Sequence, residues 1–133
     1  MKIVICGSMT FAKEMLEIKQ KLEEQSHIVV VPANTDKYSN GTINIESKQE
    51  KIELDIIRTY FEEIKKTDAI LIVNKDKNNI KNYIEGNSLI EIAFAHILNK
   101  KIFLLNPIPQ IHYSDEIEAM NPIILDNDLS RIR

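Results

Sequence analysis

Short apolar runs alternate with helix-period stripes along this chain, and that alternation restricts the fold more than any other feature. Ile3-Val4-Ile5-Cys6 is an unbroken apolar run closed by Gly7, the pattern of a strand buried on both faces. From about Thr10 to Gln25 the period changes. Phe11, Met15, Ile18 and Leu22 fall on one helical stripe, with Lys13, Glu17, Lys21 and Glu24 opposite. A second strand is expected at Ile28 to Val31, stopped by Pro32, which has no N–H for a ladder. Ala33 to Ile45 is polar and reads as a long loop. A helix is predicted from about Ser47 to Lys66, with Ile52, Ile56, Tyr60 and Ile64 on one stripe beside Ile57 and Phe61. Asp68 precedes a third strand at Ala69 to Val73. After the Asn/Lys-rich stretch Asn74 to Glu85, the pattern predicts a helix at Ser88 to Asn99 and a strand at Lys101 to Leu105. Beyond Pro107 and Pro109, a short helix at Ser114 to Met120 and a strand at Ile123 to Leu125 complete the series.

Strands separated by helices pair in parallel through right-handed crossovers. The expected fold is therefore α/β: a single doubly wound, Rossmann-like or flavodoxin-like, five-stranded parallel sheet with helices on both faces, one domain over 1–133. Ligands of such sheets sit outside the carboxyl ends of the strands. Those ends are Gly7-Ser8, Pro32-Ala33-Asn34, Asn74 onward and Asn106-Pro107.

Composition narrows the partners. With 17 Lys+Arg against 20 Asp+Glu, the net charge of -3 argues against nucleic acid. The lone cysteine, Cys6, has no intramolecular partner and fits a reducing compartment, where it reads as an inert core thiol. No secretory signal or membrane span is read, so the expectation is a soluble cytoplasmic protein. Only three glycines occur, and each is expected where the backbone demands it.

Two places carry candidate chemistry. Gly7-Ser8-Met9-Thr10 joins the first strand to the first helix, where backbone amides and hydroxyls suit an anion such as phosphate. The competing reading is that Ser8 or Thr10 simply caps the helix. Neither GxGxxG nor GxxxxGK[ST] is present, which argues against dinucleotide and P-loop triphosphate sites. The helix at Ser88 to Asn99 is apolar nearly all round, and Glu91 is its charged exception. Ser88-Leu89-Ile90-Glu91 matches a capping box, so Glu91 is either a cap or a carboxylate kept for chemistry at a strand-end crevice. His27, His96 and His112 lack metal-ligand spacing, and no metal or cofactor is expected; His96 reads as a core or interface residue. Tyr38, Tyr60, Tyr83 and Tyr113 are candidates to stack on a base, with Tyr60 assigned to the core by its period.

Three stretches together resemble the nucleoside 2-deoxyribosyltransferase superfamily, which includes 2'-deoxynucleoside 5'-monophosphate N-glycosidases. They are Ile3 to Ser8, Thr67 to Val73, and Tyr83 to Ala95 ahead of the Lys-Lys-Ile-Phe-Leu-Leu strand, within roughly residues 2–106. The resemblance implies a doubly wound sheet and a helix-borne Glu, matched by Glu91, that attacks the anomeric carbon. It implies an acidic residue in the preceding loop, where Glu85 stands in place of the usual Asp, and it matches Asp68 to the Asp that begins the middle strand. It further implies substrate or phosphate contacts at Gly7, Ser8, Met9, Gly86, Asn87 and Ser88. Tyr83, His112 and Tyr113 are implied as base or neighbour-subunit contacts within a homodimer or higher homo-oligomer. The implied activity is hydrolysis of the N-glycosidic bond of a (deoxy)nucleoside 5'-monophosphate. Transfer of deoxyribose between bases, and a nucleotide-sensing module of the same fold without turnover, are the alternatives.

Overall fold

The computed structural model describes residues 1–43, 52 and 55–133. All five apolar runs form strands: β1 (Lys2–Cys6), β2 (Ile28–Val30), β3 (Ala69–Ile72), β4 (Lys101–Leu104) and β5 (Ile123–Ile124). They pair in parallel in the order β2-β1-β3-β4-β5, with Ile3 between Val29 and Ala69 in register. The sheet is thus the doubly wound α/β architecture expected. Its winding reverses between β1 and β3, so the carboxyl ends of β1, β2 and β3 border the crevice at the switch point.

Pleating divides each strand between two cores. Ile3 and Ile5 of β1 pack with Met15, Ile18 and Leu22 of α1 (Ala12–Glu24) on one face. Val4 and Cys6 pack on the other face with Tyr60 and Ile64 of a helix at Ile56–Lys65, and with residues of the helices that follow β3 and β4. A run apolar at every position serves both layers at once, which is why these strands show no alternation.

Where the glycine supply runs out, asparagine replaces it. Ten non-glycine residues among those described have positive φ, seven of them Asn, the residue type that best tolerates the left-handed region. Ser26 (φ 70°) and Asn99 (φ 57°) end two long helices this way. After each, the next amide reaches back five residues, His27 to Leu22 O and Lys100 to Ala95 O.

The expected loop at Ala33 to Ile45 contains a short helix, α2 (Thr35–Ser39), which starts where Thr35 Oγ1 donates to Pro32 O at 2.5 Å. The next helix is α3 (Ile56–Lys65); residues 47–51, 53 and 54 of the predicted helix, and 44 and 45 of the predicted loop, lie outside the described residues. The helix after β3 is α4 (Gly86–Ile97), and it begins two residues earlier than Ser88. It is not buried all round: Ile90 is 37% exposed, Ile97 is 77% exposed and His96 lies at the surface, so His96 is no core residue. Only one side of α4 faces the sheet, through Ile92 and Ala95. The last helix is α5 (Ser114–Ala119).

Candidate active site

A cleft of about 350 Å³ opens at the switch point. Gly7 and Met9 contribute from the β1 end, Val30 to Asn34 from the β2 end, and Tyr38 from α2. From the other side come Ile56, Thr59, Tyr60 and Glu63 of α3, then Glu85, Asn87 and Glu91 of α4 and its lead-in. Aliphatic side chains and Tyr38 line much of the wall, and three carboxylates supply its charge. Apolar walls with few polar groups are usual for a small-molecule site.

Gly7 is required at its position. Its φ is +149°, and a Cβ there would lie 2.9 Å from Met15 Cε and 3.0 Å from the Val73 carbonyl oxygen. Ser8 follows, 5% exposed, and its Oγ accepts the Thr10 amide at 3.2 Å. Ser8 therefore caps the short 3-10 turn Met9–Phe11, as one of the two sequence readings held. Lys77 Nζ also donates to Ser8 Oγ, at 2.7 Å across 69 positions of chain.

The structure removes the capping-box explanation of Glu91. Because α4 starts at Gly86, its N-cap is Glu85, which makes no side-chain cap bond. Ser88 stands third in the helix rather than before it, so the capping box does not form. Ser88 Oγ is buried without a hydrogen-bond partner among the described residues. Glu91 sits in the second turn, 8% exposed, in the cleft wall.

Cys6, the last residue of β1, is buried close enough to Glu91 for the two side chains to interact. Burial pushes the Cys6 thiol well up from its ordinary value, and its interactions with Glu91 and the charge of Glu85 push the same way. Burial likewise drives the Tyr60 phenol well up, followed by Cys6, Glu91 and Glu63; its hydroxyl donates to Ile5 O at 2.6 Å. A neutral thiol and a neutral phenol thus lie at the floor of a cleft whose potential is set by carboxylates. Cys6 is the free, buried core thiol expected from the sequence, and it also lies beside the central carboxylate of the site.

The remaining predicted residues are distributed unevenly. Glu85 and Asn87 line the cleft, Gly86 is exposed at the start of α4, and Ser88 is buried behind it. Tyr113 Oη donates to Ile84 O and so pins the lead-in of α4; neither Tyr113 nor its neighbour Tyr83 lines the cleft. Burial, then Tyr83, raises Tyr113. His112 lies in a separate surface depression with Ile80 and Gln110. Asp68 is at the opposite end of the sheet. Its Oδ2 accepts the Lys2 amide at 2.7 Å and its own amide donates to Lys2 O at 2.8 Å, which ties the amino ends of β1 and β3 together. It takes no part in the cleft.

Thr59, Glu63 and Lys77 were not singled out by the sequence. Glu63 follows Tyr60 by three residues, a spacing that places both on one face of α3. Nothing local marks Lys77. Among the described residues, no group of three or more His, Cys, Asp or Glu is arranged to hold a metal ion, and no helix is long and apolar enough to cross a membrane. No known family model and no curated protein matches the chain.

Proposed function

We propose that this protein hydrolyses the N-glycosidic bond of a (deoxy)nucleoside 5'-monophosphate, with Glu91 as the nucleophile. The observation that carries the reading is a buried carboxylate in the wall of the switch-point cleft, in a helix whose start it does not cap. The resemblance to nucleoside 2-deoxyribosyltransferases assigns this Glu the same role.

In the first step a Glu91 carboxylate oxygen bonds to the anomeric carbon as the C–N bond breaks, and the departing base takes a proton from Glu85 or from water. In the second step water adds to the anomeric carbon, the ester bond to Glu91 breaks, and the group that gave its proton recovers one from the water. The transition states carry positive charge on the sugar, which the carboxylates of Glu91, Glu85 and Glu63 favour electrostatically. The neutral Cys6 thiol lies beside the Glu91 carboxylate at the floor of the cleft. Val30, Val31, Ile56 and Tyr38 offer an apolar wall for a planar base, and the Gly7-Ser8 turn receives the phosphate.

The same reading carries a cytoplasmic homo-oligomer, for which the exposed Ile57, Ile90 and Ile97 of α3 and α4 offer apolar surface. Incubation with a panel of ribo- and deoxyribonucleoside monophosphates, with free base followed by chromatography, tests the activity. Base release is expected, falling by about a thousandfold or more in Glu91→Gln with the fold retained. A second base added as acceptor yields a new nucleotide only if the enzyme is a transferase. Release that survives Glu91→Gln refutes the assignment.

A further inference from the structure

We propose that Lys77 is the cation that recognises the substrate phosphate, selecting nucleoside monophosphates over nucleosides. This rests on the glycosidase reading for the identity of the substrate, but not for the existence of an anion site.

Lys77 is held by a built turn. Asn78 and Asn79 have φ of 55° and 60°, and Lys77 and Ile80 exchange backbone hydrogen bonds of 3.0 and 2.9 Å. Two central residues with positive φ define the tight hairpin turn that asparagine favours. The base of the hairpin is fixed as well, by Tyr83 N donating to Lys75 O at 2.9 Å and Asn82 N to Asp76 Oδ1 at 3.0 Å. The half-buried Lys77 side chain crosses from this turn to Ser8, which stands between two cleft-lining residues, Gly7 and Met9.

The donors there outnumber the acceptors. A hydroxyl has two acceptor lone pairs and one proton to give. Ser8 Oγ already accepts from the Thr10 amide and from Lys77 Nζ, so both lone pairs are occupied. Its own proton points to no acceptor among the described residues. The Lys77 ammonium has two further N–H groups, and no carboxylate of the described residues lies within ion-pair distance of it. In a protein with net charge -3, beside a cleft holding three carboxylates, this ammonium rests on a neutral hydroxyl. Converging donors with an uncompensated positive charge and no acceptor fit a phosphate oxygen. The cleft carboxylates repel a phosphate dianion, and a cation beside the Gly7-Ser8 turn offsets that repulsion.

The test uses Glu91→Gln, which holds substrate without turnover, titrated calorimetrically with the nucleoside monophosphates, their parent nucleosides and inorganic phosphate. Adding Lys77→Met is expected to weaken the best monophosphate by about tenfold or more, leave the matching nucleoside unchanged, and be largely rescued by Lys77→Arg. If Lys77 merely pins the hairpin, nucleoside and nucleotide weaken together, and the proposal is overturned. It is equally overturned if no monophosphate binds more tightly than its nucleoside. Should Lys77→Met fail to fold, Lys77→Gln replaces it. The two readings fail separately. Lys77-dependent phosphate binding in a protein that releases no base leaves the anion site standing and removes the hydrolase. Base release with KM unchanged by Lys77→Met does the reverse.

Discussion

Replacing each of the three glycines by alanine should change stability in three distinguishable ways. At Gly7 two costs add. A φ of +149° is strained for an L-residue, at about 1–3 kcal/mol. The new Cβ would also lie 3.0 Å from the Val73 carbonyl oxygen and 2.9 Å from Met15 Cε. Met15 is fully buried, so its methyl has little room to move, and the carbonyl belongs to backbone fixed by Val73 N donating to Cys6 O at 2.9 Å. Overpacking of this kind costs about 1–3 kcal/mol, for a total of about 2–6 kcal/mol. That is a large share of the ~5–15 kcal/mol that holds a domain folded. Gly41 has φ +83° and open space around it, so alanine there costs only the backbone strain, about 1 kcal/mol. Gly86 opens α4 with open space and no unusual φ, and alanine is neutral or stabilising by up to about 1 kcal/mol. Urea unfolding of the three variants at one pH, read as midpoint shifts with a common m-value, gives the ranking. A Gly7→Ala variant within about 0.5 kcal/mol of wild type, or one less destabilised than Gly41→Ala, would refute the packing argument.

Two further outcomes follow from buried polar groups. Asn74 is fully buried; its amide donates to Asn106 O and Pro107 O at 2.9 and 3.1 Å, and its Oδ1 accepts Asn106 N at 2.9 Å. Asn74→Ala strands those groups where β3 and β4 end, so chemical denaturation should show a loss of about 2–4 kcal/mol. For Cys6 the folded-state value is raised, so above the ordinary thiol value of 9.0 the unfolded chain loses a proton that the folded one keeps. Stability is then complete below that pH and falls as pH rises, by about 1.4 kcal/mol per unit. Cys6→Ala should flatten the decline between pH 9 and 10, and an unchanged slope would contradict the placement of the thiol.

What the sequence alone determined is what local periodicity encodes. A strand buried on both faces must be apolar at every position, and a helix covering one face must repeat near 3.6, so Ile3–Cys6, Ala69–Ile72 and the stripe through Met15, Ile18 and Leu22 were legible. Glu91 was legible as a charge inside an apolar helix. That Asp68 belongs to the far end of the sheet was also within reach, because a residue preceding a parallel strand lies at its amino end. Gly7 and Gly41 stand where φ is positive and Gly86 does not, while asparagine fills seven other left-handed positions among the described residues. Only the tertiary structure decided the rest. The register of α4 on the sheet moved its start to Gly86 and left Ser88 inside the helix, so the S-x-x-E pattern did not become a capping box. The order β2-β1-β3 placed Ser8 and Lys77 side by side although 69 positions separate them, and set Cys6 against Glu91. Strand order is fixed by which apolar faces bury one another across the whole chain, and no window of neighbouring residues carries that information.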